Sequence, residues 1–166
     1  ITDVTLKEHG LQIDHVAIFF SDHGNPYVVQ SIHSGTVVTP LDSLLQEEGS
    51  FIVARIQVPF SPQQSINNAL NYVGRPYDFL FLPDNDAIYC SELVLLSFVD
   101  RQGNRIFHPT AMSFHDANGA ITPHWREFYA HHGMEVPEGW PGSNPAELAQ
   151  RKQLKLIYAI TEKLLK

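Results

Sequence analysis

Cysteine is nearly absent from this sequence: Cys90 is the only one in 166 residues. No disulfide can close within the chain, and zinc modules built from two or more thiolates are excluded. Long apolar runs are also missing, since none approaches the roughly 18 residues that a membrane-spanning helix needs. Charge is sparse, at 17% of residues, and 11 Lys and Arg against 18 Asp and Glu leave a net −7. That balance excludes non-specific nucleic-acid binding and a polybasic membrane face. No glycine-rich phosphate loop follows a strand. The acidic residues lack the spacing of calcium or zinc ligands, and the adjacent pair His131–His132 would point about 100° apart on a helix. We therefore expect no metal and no cofactor.

What is present is a 43% apolar composition, ample for a packed core in a length that suits one domain. No linker or repeat divides the chain, so residues 1–166 are expected to form a single domain. The chain opens at Ile1 with no Met and no leader-like segment. The expectation is that a leader was removed or that the chain starts inside a longer protein.

Ile13–Phe20 is a dense apolar run that predicts a strand, Ser21–Pro26 a turn, and Tyr27–His33 a second strand completing a hairpin. Val37–Thr39, ending at Pro40, predicts a short third strand, Leu41–Gln46 a short helix and Phe51–Val58 another strand. Ser61, Pro62 and Gln64 have the form of a capped helix start, with Ile66, Ala69, Leu70 and Val73 at helical spacing before Gly74. Pro76–Asp86 reads as an aromatic loop and Cys90–Val99 as a helix that is apolar nearly all round, hence buried. Beyond it, Arg105–His108 suggests a strand, Thr122–Pro123 a short helix start, and Val136–Pro145 a surface connection. Asn144, Pro145 and Glu147 suggest a second capping box, and Leu154–Leu165 is open between helix and strand plus helix.

Cys90 falls at the predicted start of the buried helix. The positive end of the backbone dipole favours a thiolate there, and free amides suit a developing oxyanion. Free cysteines more commonly serve as small buried hydrophobes, so position alone leaves both readings open. A cysteine nucleophile needs a base. Of nine histidines, most lie in turns or polar stretches, and His15 alone sits inside an apolar strand. A hairpin turn centred between residues 23 and 24 makes partners sum to 47. Gln30 then shares a face with His15, diagonal to it at about 7 Å or less, while His33 and Asp14 fall on the opposite face. Gln30 is thus a conditional orienter of the imidazole, its alternative being an ordinary polar residue of a half-exposed sheet. Tyr77 and Ser91 are weaker candidates for contacts to substrate or oxyanion. Glu92, about 200° around the helix from Cys90, is expected to partner loop backbone.

Several runs resemble one family: Asp14–Ile18, Tyr27–Ser31, Val38–Leu41, Gly74–Asp78 and above all Ile88–Val94, with Val136–Gly139 and Pro141–Pro145 later. The sequence is similar to YiiX-like proteins, in the circularly permuted branch of NlpC-type papain-fold cysteine peptidases, over roughly residues 12–149. The resemblance implies an α+β papain-like fold: a central antiparallel sheet or partial barrel packed against a buried helix with the cysteine at its N-terminus. It implies Cys90 as nucleophile and His15 as base, in the permuted order with histidine first. Its third polar residue maps to Gln30, where the family often has glutamate; an uncharged Gln30 would stabilise an imidazolium less. The family's usual Gly-Asp-hydrophobic opening is not found in this chain. The activity implied is hydrolysis of amide bonds in small or cell-wall peptides, with a small peptide or peptidoglycan-derived substrate as partner. Location in the bacterial envelope or secretion is also implied. Two other readings stand beside it. One is acyl transfer like that of lecithin:retinol acyltransferase-like enzymes, and the other is a non-catalytic peptide-binding domain.

Overall fold

The structure is a computed structural model that describes residues 13–47, 49–116 and 118–160, the last three of them as backbone only. It has a mixed α+β fold. The first unit is an antiparallel meander of β1 (Ile18–Asp22), β2 (Asn25–Ile32) and β3 (Gly35–Pro40), in the order β1-β2-β3. The β1–β2 pairs run from Ile18↔Val29 to Asp22↔Asn25, each summing to 47 as the turn arithmetic requires. His23 (φ 48°) and Gly24 (φ 86°) form the two-residue turn, a left-handed pair that matches the twist of the flanking strands. Gly35 has φ 107°, and a Cβ there would lie 2.6 Å from the Arg75 carbonyl oxygen. That close approach lets Thr36 N donate to Arg75 O at 2.8 Å, tying the sheet to the chain that follows the second helix.

The helix α1 (Leu41–Leu45) and strand β4 (Phe51–Ile56) lead to α2 (Pro62–Leu70). The helix α3 (Cys90–Ser97) follows a long loop and carries the main core. Its Leu93, Val94 and Leu95 pack with Ile18 and Val29 of the sheet, Ala69 of α2, and Ile88, Phe107 and Leu148. Burial on all sides is what an all-round apolar helix demands. The strand β5 (Thr110–Ala111), helix α4 (Pro123–His131), strand β6 (Pro141–Gly142) and helix α5 (Pro145–Ala149) precede β7 (Leu154–Ile160). β5 pairs with β6, and β7 returns to pair antiparallel with β4. A smaller aromatic core of Phe114, Trp125 and Tyr129 lies beside Leu80 and Phe81 of the long loop.

Several local expectations change. Among the described residues the strands form three separate antiparallel sheets, not one central sheet or partial barrel. The first strand starts at Ile18, not Ile13, and His15 in the stretch before it has its Nε2 2.8 Å from Gln30 Oε1. Ser61 makes no side-chain cap; its carbonyl accepts from Ser65 N and Oγ, and Gln64 reaches Asn68 at 2.9 Å. α3 stops at Ser97 because Val99 is claimed elsewhere, its carbonyl by Ser61 N and its amide by Ser65 Oγ. Arg105–His108 contributes only the bridge Val99↔Arg105. Asn144 caps Glu147 N at 2.8 Å, but the Glu147 carboxylate pairs with Arg151 instead of closing the box. Val136–Pro145 is not a surface connection, since it contains β6 and buries Pro137 and Ser143. In Leu154–Leu165 the described part is strand through Ile160, and the remainder lies outside the described residues.

Candidate active site

Gln30 lies on β2 with 3% of its surface exposed. A buried amide must satisfy both of its ends. Its Nε2 donates to Thr39 Oγ1 at 3.0 Å, across on β3. Its Oε1 lies 2.8 Å from His15 Nε2. With the amide so oriented, His15 Nε2 carries the hydrogen and donates it, leaving Nδ1 with the free lone pair. The pairing expected from the hairpin arithmetic is therefore present, although His15 sits just before β1 instead of within it. Thr39 is the partner that the sequence did not suggest as part of the site. Its only signal was the β2–β3 pairing, which places it near Gln30 on the neighbouring strand.

Cys90 is the first residue of α3 and is 5% exposed. Burial pushes its thiol up to about 11, against the backbone amides of Val16, Ser91 and Cys90 itself, which favour the thiolate; Asp14 adds to the rise. The backbone of Val16, the residue that follows His15 in the chain, is thus among the groups that favour the charged sulfur. Desolvation outweighs the pull of these amides.

Tyr77 also belongs to this region. Its phenol is raised well above the ordinary tyrosine range by burial first and then by the neighbouring Cys90 and Asp78 charges. Its ring stacks on His33 at 5.8 Å and meets Phe79 edge-on at 5.0 Å. His33 is therefore an outward-facing aromatic neighbour of Tyr77. Ser91 is fully buried, and its amide faces the Cys90 sulfur. Burial raises the Glu92 carboxyl to about 7, helped by Asp78 and Asp84 and opposed by the Tyr89 backbone. Its Oε2 is buried without a hydrogen-bond partner among the described residues.

Asp78, unassigned from sequence, organises the loop that carries Tyr77. Its carboxylate accepts from Leu80 N (2.9 Å), Leu82 N (2.7 Å) and Asn85 Nδ2 (3.0 Å). The loop ends are clamped by Ile88 N donating to Pro76 O at 2.9 Å. Only the short-range part of this pattern, an aspartate accepting from nearby amides, is a sequence-level turn signal.

On this mixed α+β scaffold, residues 5–158 match the profile of a family described as permuted papain-like amidase enzymes. The chain belongs to that family, peptidase family C92, the YaeF/YiiX group. It is 32% identical over 98 residues to the uncharacterized protein YiiX of Escherichia coli K12, a match covering 55% of this chain and 48% of YiiX. The matched stretch spans about half the length of that relative. A crystal structure described as that of metalloprotein yiiX, from Escherichia coli O157:H7, superposes with a TM-score of 0.72 at 24% identity, covering 89% of this chain and 83% of that one. The likeness to that structure is one of fold. Among the described residues of this chain, no three His, Cys, Asp or Glu side chains come together as a metal site.

Proposed function

We propose that the protein is a cysteine amidase or peptidase of the NlpC-like permuted kind, in which Cys90 is the nucleophile, His15 the base and Gln30 the residue that orients the base. The observation that carries this reading is the 2.8 Å contact of His15 Nε2 with Gln30. That contact leaves Nδ1 free to take a proton, and Cys90 stands at the head of the buried helix α3, where the backbone of Val16, next to His15 in the chain, favours the charged sulfur. In this scheme His15 Nδ1 takes the thiol proton as Cys90 attacks the amide carbonyl. The Ser91 amide faces the oxyanion that develops. The imidazolium then protonates the leaving amine, and water releases the acyl group from sulfur. Tyr77 lines the substrate side.

The substrate class proposed is a small peptide, including peptidoglycan-derived ones, met in the bacterial cell envelope, within a single domain over residues 1–166. The test is turnover of a panel of peptide amides and peptidoglycan fragments by the wild type and by Cys90→Ala. Release of amine by the wild type alone supports the scheme; full activity in Cys90→Ala overturns it. Transfer of the acyl group to an added alcohol or amine in place of water would turn the reading towards an acyltransferase.

A further inference from the structure

The segment Pro141–Pro145 has no role in the scheme above, yet it reaches both neighbours of the proposed nucleophile. Ser143 is 6% exposed. Its backbone N donates to the Tyr89 hydroxyl at 3.1 Å. Its own hydroxyl donates to Ser91 Oγ at 3.0 Å. Tyr89 and Ser91 flank Cys90, and both are buried, at 3% and 0%.

The anchor itself is held from both sides. Gly142 pairs with Thr110 in the β5–β6 ribbon, and Asn144 caps α5 through the Glu147 amide at 2.8 Å. Tyr89 is braced as well, meeting Phe81 edge-on at 5.3 Å. The turn that presents Cys90 is therefore tied, through one residue, to chain more than fifty positions away.

We propose that Ser143 is a positioning residue for Cys90. By holding the Ser91 hydroxyl and the Tyr89 phenol it fixes the first turn of α3, so that the Ser91 amide stays on the Cys90 sulfur. This rests on Cys90 being the nucleophile, but the sulfur's environment can be read without any turnover. Because Cys90 is the only cysteine, alkylation of the native protein by iodoacetamide reports on that sulfur alone.

The experiment is the alkylation rate against pH for wild type, Ser143→Ala, Ser143→Thr, Ser91→Ala and Tyr89→Phe, at a temperature well below each melting midpoint. In Ser143→Ala the Ser91 hydroxyl loses its partner and the turn loosens. The amide then supports the thiolate less, so the profile moves to higher pH and the rate at fixed pH falls roughly three- to tenfold, the scale of one hydrogen bond. Ser91→Ala should give the same shift, and the double variant no more than either single one, because both remove one contact. Ser143→Thr, which keeps the hydroxyl, should restore the wild-type profile. If Ser143→Ala does not fold, Ser91→Ala and Tyr89→Phe carry the test. A lower melting temperature with an unchanged alkylation profile in the folded variants would make Ser143 a packing residue and overturn the proposal. That result would leave the nucleophile assignment standing, whereas full turnover in Cys90→Ala would remove the nucleophile and leave the alkylation result intact.

Discussion

The histidine and cysteine sides of the site are built in different ways. His15 is held by a side-chain relay on the sheet, from His15 Nε2 to Gln30 and on to Thr39. Among the described residues Cys90 has no such relay; it stands at the head of a buried helix, where backbone groups favour its charged form. The relay holds the imidazole through Nε2, whereas burial disfavours the charged form of the thiol against the pull of the amides. The difference teaches where each side is sensitive: the imidazole to its side-chain partners on the sheet, the sulfur to the backbone at the start of the helix.

Breaking the comparison outright needs the two reacting groups. Cys90→Ala should remove amide hydrolysis by a factor of about 10³ or more, since nothing else in the scheme can form the acyl-enzyme; product release from a peptide amide measures this. His15→Ala should cost about 10²- to 10⁴-fold in kcat, the usual worth of a positioned base, with the circular dichroism spectrum unchanged. The relay is the next level. Gln30→Ala should lower kcat roughly ten- to hundredfold, the scale of a hydrogen bond to a charged imidazolium. Gln30→Glu should retain activity while moving the acid limb of the kcat/KM profile to higher pH, because a carboxylate raises the imidazole's affinity for its proton.

The smallest expected effect sharpens the cysteine side alone. The Glu92 carboxyl is raised by burial to about 7 from an ordinary 4.5. Between those two values the folded state keeps a proton that the unfolded state releases, so stability falls as pH rises through that window and levels off above it. Glu92→Gln should remove that part of the fall, read as a smaller change in melting temperature between pH 5 and pH 7.

How much of this could be read beforehand depended on distance along the chain. The two-residue turn at His23–Gly24 fixed the register, and the register put Gln30 on the face of His15. The apolar pattern of Leu93, Val94 and Leu95 announced a buried helix starting near Cys90. What was illegible needed long-range contacts. His15 sits outside the strand with its Nε2 on Gln30, and no local periodicity records such a contact. Pro141–Gly142 has the composition of a surface connection, but a short strand pairing with Thr110–Ala111 carries it inward. Ser143 is separated from Ser91 by 52 positions, and a lone serine carries no signal of its destination. Tyr77 and His33 share the same difficulty, since their stacking follows from how the long loop lies against the end of the meander.

The β4–β7 ribbon bears on how the molecule is made. Phe51–Ile56 pairs with Leu154–Ile160, so β4 emerges from the ribosome about a hundred residues ahead of its partner. The meander and its neighbour α3 need only chain through Ser97, and contacts over shorter loops close at lower entropic cost. The order of synthesis thus lets the segments bearing His15, Gln30 and Cys90 collapse together first. β4 meanwhile stays an open edge, exposed to chance pairing with other chains, until the last strand arrives to cover it.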